Sequence, residues 1–348
     1  MPLKFAGMDL GTSTLKTSFE NGTKKFKMIS MVGDVNEGWT GMSVDKSWIN
    51  NLVLEDAAGK EFFIGELART QSEIKYPLVS EGRMKSADNA FLALKASLSN
   101  IAEDGDDFII GVGVPVATPM NEMKELSRLL KGTHEIKCRN DATGEKKQLT
   151  VNVKKCQVIP EPYGTYYWTL KERKVDVAID AVLIDIGHGS TDFLAMYQGR
   201  PMRQSSGSLN EATDTLTSRI AKKLNDQTGK IIRPYELMKS IELGRESVMV
   251  GGETFSIKEV KSYYADQISR IMVDEAERLI GFMPPDSFVE LYVCCGGGAY
   301  IFGQYIQKAL FNMKMIAKPE DCYIPPDPVM SNAMGFELVV KDRAGDSE

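Results

Sequence analysis

The sequence predicts two α/β domains, each built on a mixed sheet, with a cleft between them. Three observations carry this reading. Two apolar strand runs, Phe5-Ala6-Gly7-Met8-Asp9-Leu10 and Leu183-Ile184-Asp185-Ile186, each set an aspartate at the strand end and then break into a turn of glycines and hydroxyls. The two copies lie roughly half the chain apart, as in a duplicated unit. After each turn the pattern is that of a hairpin, not of the helix that a Rossmann or Walker phosphate loop opens.

Composition narrows the class. The 348 residues suffice for two domains with their own cores, and 43% hydrophobic with 26% charged residues fits a globular chain. The formal net charge is −6 without a long Lys/Arg block, so direct binding to nucleic acid through its phosphates is not expected. Five cysteines without a CxxC pair, and two histidines, argue for a reducing compartment and against a zinc site. No apolar stretch is long enough to span a membrane, the first strand starts too early for a signal peptide, and neither end is an amphipathic anchor. A cytoplasmic protein without membrane contact is expected.

Along the chain, Leu15–Glu20 and Lys25–Met31 flank Asn21-Gly22, a strong short hairpin signal. Residues 33–85 lack clear periodicity and read as a small insertion on the first domain, with Phe62–Ala68 a strand turning into a helix. Helical spacing marks 88–101 and 120–130, and Phe108–Val114 reads as a buried strand. Residues 134–158 alternate around Thr143-Gly144 like an exposed hairpin, and Ile159–Gly164 reads as a strand end and a loop bearing Glu161. A hairpin through Tyr197–Arg200 follows the second turn. Helices are expected over 209–224, 235–243 and 263–280, and a strand over 289–293 runs into Gly296-Gly297-Gly298 and a short helix. A last helix from about Ser331 to Val340 is expected to return to the first domain. The predicted division is 1–165, 166–328 and a returning segment 329–348.

The candidate chemistry sits in the turns. Asp9 and Asp185 are positioned to hold a magnesium ion, largely through its waters; the alternative is that each carboxylate caps its own turn. Gly11, Thr12, Ser13 and Thr14 offer N–H groups and hydroxyls to one phosphate, and Gly187, Gly189, Ser190 and Thr191 to another. Lys16 can reach a phosphate as a point charge or stand as a solvated strand lysine. Glu161, between prolines, can orient a water that attacks a terminal phosphate, or cap a helix. Gly296, Gly297 and Gly298 permit flat packing against an adenosine, or make a tight strand–helix turn. His188 needs no catalytic role.

These pieces, in this order, resemble the actin-like ATPase superfamily. The first phosphate motif is Asp9 to Lys16, the first connecting motif lies around Glu161, and the second phosphate motif is Asp185 to Asp192. The adenosine motif is Cys295 to Ala299 and the second connecting motif Ser331–Gly335. Within the superfamily the chain looks most like ParM-type plasmid-segregating actins and archaeal actins, through its length, Gly111–Pro115 after a strand, and Gly207–Asn210 before a helix. The resemblance implies the duplicated, RNase H-like two-domain fold with a nucleotide in the cleft. It further implies ATP-driven polymerisation into filaments that hydrolysis destabilises, with Asp9 and Asp185 on the magnesium and Glu161 and Asp185 in the catalytic roles. GTP in place of ATP stays open, with Lys239 and Glu242 as base-gripping candidates. Partners implied are further copies of the chain and a DNA-binding adaptor, so contact with DNA would be indirect. Two other readings share the motifs: a sugar or small-acid kinase, for which no catalytic base is evident, and a nucleotide-binding scaffold that does not hydrolyse.

Overall fold

A computed structural model describes residues 3–36, 43–79, 87–175 and 178–345. The chain divides into two units, Met1–Trp168 with Asn332–Glu348, and Thr169–Ser331.

The first unit opens with β1 (Lys4–Leu10), β2 (Thr14–Phe19) and β3 (Lys24–Ile29), an antiparallel ribbon. Then come β4 (Met31–Asp34), β5 (Leu52–Glu55), β6 (Glu61–Ile64), α1 (Glu66–Gln71) and β7 (Lys75–Pro77). The unit continues with α2 (Ala87–Leu98), β8 (Asp107–Val114), α3 (Met120–Leu130), β9 (Gly132–Asn140), β10 (Lys146–Pro160) and α4 (Glu161–Glu172). All ten strands join one sheet in the order β3-β2-β1-β8-β10-β9-β5-β6-β4-β7. At its centre β1, β8 and β10 run parallel. β8 is buried from Phe108 to Val114, the unbroken apolar run expected of a strand covered on both faces.

Three expectations change here. The stretch 33–85 supplies β4 to β7, which continue the main sheet through the pairing of β5 with β9; residues 37–42 and 80–86 lie outside the described residues. The hairpin over 134–158 is an antiparallel pair only as far as Val153. β10 pairs with β9 through Val153 and in parallel with β8 from Asn152 to Pro160, with a register shift between Val153 and Lys155. No loop separates β10 from α4: Pro160 ends the strand and Glu161 starts the helix.

The second unit holds β11 (Ala181–Ile186), β12 (Thr191–Tyr197), β13 (Arg200–Pro201), β14 (Gly207–Leu209), α5 (Thr213–Thr228) and α6 (Pro234–Glu242). A small hairpin follows, β15 (Ser247–Val250) with β16 (Glu253–Ser256), then α7 (Lys258–Ile280), β17 (Leu291–Cys295), α8 (Ala299–Asn312) and β18 (Cys322–Tyr323). The sheet order is β13-β12-β11-β17-β18, with β14 also on β12. Leu209, expected on a helix, lies in β14, and α5 starts only at Thr213. The β15–β16 hairpin was not legible in the apolar pattern, since just one of its residues, Val248, is buried.

The last helix, α9 (Ser331–Gly345), packs on the first unit from Asn332 onward. Glycines let it lie flat there. A Cβ on Gly7 would come within 1.9 Å of the Ala333 carbonyl oxygen, and one on Gly335 within 1.7 Å of the Gly164 carbonyl oxygen. Phe336, Val339 and Val340 of α9 join Ile109 and Ile159 in a shared core. No described helix is long and apolar enough to cross a membrane.

Candidate functional site

The two Asp-x-Gly turns have the same construction. In the first unit Asp9 lies near the end of β1, only 3% exposed. Its cross-strand partner in the β1–β2 ribbon is Lys16, whose Nζ donates to Asp9 Oδ2 at 2.7 Å. A Cβ on Gly11 would lie 2.9 Å from the Thr14 carbonyl oxygen, so the turn closes as tightly as it does because the residue is glycine. The Ser13 carbonyl accepts from the Ser30 N–H at 2.9 Å, which pins the turn; Thr12, Ser13 and Thr14 all keep some exposure.

In the second unit Asp185 takes the place of Asp9, 9% exposed near the end of β11. A Cβ on Gly187 would lie 3.0 Å from the Ser190 carbonyl oxygen, the counterpart of the Gly11–Thr14 contact. The Gly187 N–H donates to that same carbonyl at 2.9 Å. The start of α5 holds this turn: the Asp214 N–H donates to the His188 carbonyl at 2.9 Å, and Thr213 Oγ1 donates to the Gly187 carbonyl at 3.3 Å. Gly189 and Ser190 are partly exposed, whereas Thr191 is buried and gives its hydroxyl to the Glu211 carbonyl at 2.7 Å. His188 is exposed, its Nδ1 3.3 Å from the Thr213 hydroxyl.

The glycine triplet closes on this aspartate. Gly296 follows β17, which runs parallel to β11 with Cys295 beside Asp185. Its φ is +78°, and a Cβ there would meet Asp185 Oδ1 at 2.2 Å and the Ile186 carbonyl oxygen at 2.5 Å. The Gly298 N–H donates to that Ile186 carbonyl at 2.8 Å, and a Cβ on Gly298 would strike the Ile186 side chain. Gly297 differs, being exposed with nothing within 4 Å of a would-be Cβ. The triplet therefore does two jobs: its outer glycines let the backbone close on β11, and its middle one presents bare backbone to solvent.

Residues 7–164 match the family described as "Actin like proteins N terminal domain", and residues 183–308 match "Archaeal actin homologue MreB-like, C-terminal". The chain belongs to the actin-like family. Three solved structures illustrate the likeness. The archaeal actin homologue Ta0583 in complex with ADP is 20% identical with a TM-score of 0.76, the match covering 98% of this chain and 100% of that one. A 15-stranded ParM filament from Clostridium botulinum is 19% identical with a TM-score of 0.74, over 98% of this chain and 100% of that one. The actin-like protein Alp7A is 17% identical with a TM-score of 0.74, over 99% and 98%. At these identities the likeness shows the actin-like fold. No curated protein sequence matches the chain.

Two carboxylates of this actin-like chain were given no role by the sequence reading. Asp192 stands directly opposite Asp185 across β11 and β12, 7% exposed, and accepts from the Ser208 hydroxyl. It bears the same relation to Asp185 as Lys16 does to Asp9, so applying one offset to both copies of the motif would have found it. The second is Glu337 on α9, 1% exposed. It accepts from the Ser18 hydroxyl at 2.7 Å, the Gly22 N–H at 3.0 Å and the Asn21 N–H. Glu20, Asn21 and Gly22 all have positive φ, and this aims successive N–H groups at the carboxylate. No local signal marks Glu337, because its partners are more than 300 residues away.

The remaining candidates stay apart from these turns. Glu161 is half-buried in the first turn of α4, its Cγ 3.1 Å from where a Cβ on Gly113 would sit. Lys239 and Glu242 are exposed on α6. Among the described residues no three His, Cys, Asp or Glu side chains converge on one metal position. Magnesium needs no such cluster, since one or two carboxylates with phosphate oxygens and waters complete its shell.

Proposed function

We propose that the chain is an actin-like ATPase that binds a nucleoside triphosphate with magnesium, assembles into filaments of its own copies and loses them after hydrolysis. The observation that carries this reading is the matched pair of turns. Each has a buried aspartate on a strand, a glycine two residues on that closes the turn, and at least one hydroxyl that keeps some exposure, and the Gly296–Gly298 backbone is folded against one of the aspartates.

These residues fit the group the fold implies. Asp185 and Asp192 oppose one another on paired strands, which gathers two carboxylates at this turn. Asp185 and Asp9 would hold magnesium, and Asp192 would accept from its waters. When bound, magnesium would draw off charge on the phosphate oxygens. Lys16, fixed beside Asp9, keeps an ammonium at the first turn and offsets that carboxylate's charge, so the turn can receive a phosphate without net repulsion. The N–H groups around Gly11 and Gly187 would bind phosphate oxygens, and bare backbone at Gly297 would lie against the nucleoside. Glu161, at the start of α4, would accept a proton from the attacking water and orient it. ATP is preferred to GTP only through the family likeness. A role in segregating DNA through an adaptor, inside the cytoplasm, is the finer part of the proposal and draws on the likeness to ParM.

Right-angle light scattering after addition of magnesium and ATP, with phosphate release followed in the same sample, tests the proposal. Scattering that rises and then falls in step with phosphate release is expected. Hydrolysis without any scattering change over a wide protein concentration range would refute filament assembly and favour a kinase. Silence in both channels would refute the ATPase.

A further inference from the structure

Away from both turns, the first unit carries a groove of about 480 Å³ between α3 and the second half of β10, reached by the end of α9. Lys124 and Arg128 rise from α3, Lys155 from β10 and Arg343 from α9, and among the described residues lining it there is no carboxylate. Lys124, Arg128 and Lys155 are exposed and make no ion pair among the described residues. Between them lie Met120, which is 57% exposed, and Met123. The walls are tied together. The Ser127 hydroxyl donates to the Cys156 carbonyl at 2.6 Å, and the Arg343 guanidinium donates to Gln157 Oε1 at 3.1 Å.

Three exposed cations without ion pairs among the described residues, lining one groove beside Arg343, stand out in a chain of net charge −6. Cations gathered along one groove attract a partner of opposite charge. The floor says what kind of partner. Nucleic acid bound as single strands stacks its bases on aromatic rings, and among the described residues no aromatic side chain lines this groove. Methionines instead repack around the apolar side chains of another protein. We infer that this groove docks an acidic amphipathic helix of a partner protein, its apolar side chains on Met120 and Met123 and its carboxylates on Lys124, Arg128, Lys155 and Arg343. The inference does not depend on nucleotide binding, since no residue of either turn takes part.

The probe is a fluorescein-labelled helical peptide of about 18 residues, long enough to hold helix on a surface, with leucines at i, i+3, i+4 and i+7 flanked by glutamates. A second peptide carries lysine in place of every glutamate. Fluorescence anisotropy with the full chain, without nucleotide, should show the acidic peptide binding and the lysine peptide not. K124E/R128E, which changes only exposed side chains, should weaken the acidic peptide by roughly tenfold or more. Methyl resonances of Met120 and Met123, assigned through M120L and M123L, should shift on titration in the wild type and stay put in K124E/R128E. Absence of binding, or equal binding by K124E/R128E, would overturn the inference. So would displacement of the peptide by a single-stranded oligonucleotide that K124E/R128E also fails to bind, or a loss of self-association in K124E/R128E with peptide affinity unchanged.

Discussion

Gly296→Ala and Gly297→Ala differ by one position and should have opposite consequences for the folded protein. At Gly296 the φ of +78° is left-handed, which costs a residue with a Cβ about 1–2 kcal/mol. The new methyl would also lie 2.2 Å from Asp185 Oδ1, 2.5 Å from the Ile186 carbonyl oxygen and 2.9 Å from its carbon. Two of those atoms are backbone, so the strand end itself must move, and overpacking of this kind costs about 1–3 kcal/mol. The sum, about 2–5 kcal/mol, is a large part of a typical domain's stability and lowers the thermal midpoint by roughly 4–20 °C for a unit of this size. Asp185 moves with the strand, so magnesium-dependent nucleotide binding should fall too. At Gly297 φ is not left-handed and an added methyl meets nothing, so Gly297→Ala should melt within about 2 °C of the wild type. Its methyl would nonetheless stand where bare backbone is proposed to meet the nucleoside, and affinity should drop. Differential scanning fluorimetry with titration of a fluorescent ATP analogue separates the cases. If Gly296→Ala melts like the wild type, the contact argument is wrong; if Gly297→Ala binds ATP normally, the triplet is only a strand–helix turn.

Glu161→Ala should leave nucleotide affinity and assembly intact while slowing phosphate release by about 100-fold or more, giving longer-lived filaments; unchanged release would remove Glu161 from the reaction. Asp185→Ala should abolish the magnesium dependence of nucleotide binding, measured by titration with and without chelator, and retained dependence would undo the metal assignment. Glu337→Ala strips an acceptor from the buried Ser18 hydroxyl and from two N–H groups of the β2–β3 turn. It should cost about 2–4 kcal/mol in urea unfolding, with Glu337→Gln costing less, and an unchanged midpoint would mean that the turn holds itself. His134 is buried beside Phe91 with its Nε2 2.9 Å from the Leu130 carbonyl, and burial holds its pKa below the usual 6.5. The unfolded chain therefore takes up the proton at higher pH than the native one, so stability falls as pH drops below about 6.5. His134→Gln should flatten that part of the midpoint-versus-pH curve, and an identical slope would show that other groups set it.

What could be read from the sequence follows from range. Strands with continuous apolar runs, such as β8 and β11, and helices with clear periodicity, such as α3, declare themselves within a dozen residues. So do the two turns, because a carboxylate, a glycine and hydroxyls sit side by side in each. β10 misled because it changes neighbours midway: its first half is a hairpin strand on β9, its second a parallel strand on β8, and a hairpin pattern describes only the first. Leu209 misled because an apolar side chain next to a helix start satisfies the helical period whether it is on the helix or, as here, on β14. Lys16 could be read either as phosphate ligand or as solvated strand residue until the register placed it opposite Asp9. Glu337 was beyond reach because a buried carboxylate on a helix is explained only by the turn it caps, at the other end of the chain.

The flat seat of α9 on Gly7, Gly111 and Gly164 bears on how the protein is made. The first unit is assembled from residues at both ends of the chain, and its core lacks Phe336, Val339 and Val340 until α9 arrives. On a ribosome, Thr169–Ser331 is a continuous segment and can finish folding first, although it is translated second. The earlier unit must wait while the whole of Thr169–Ser331 is synthesised, with the apolar residues Ile109 and Ile159 uncovered meanwhile. Nascent chains stalled before Asn332 should therefore be held by chaperones at their first half, and release should follow translation of α9.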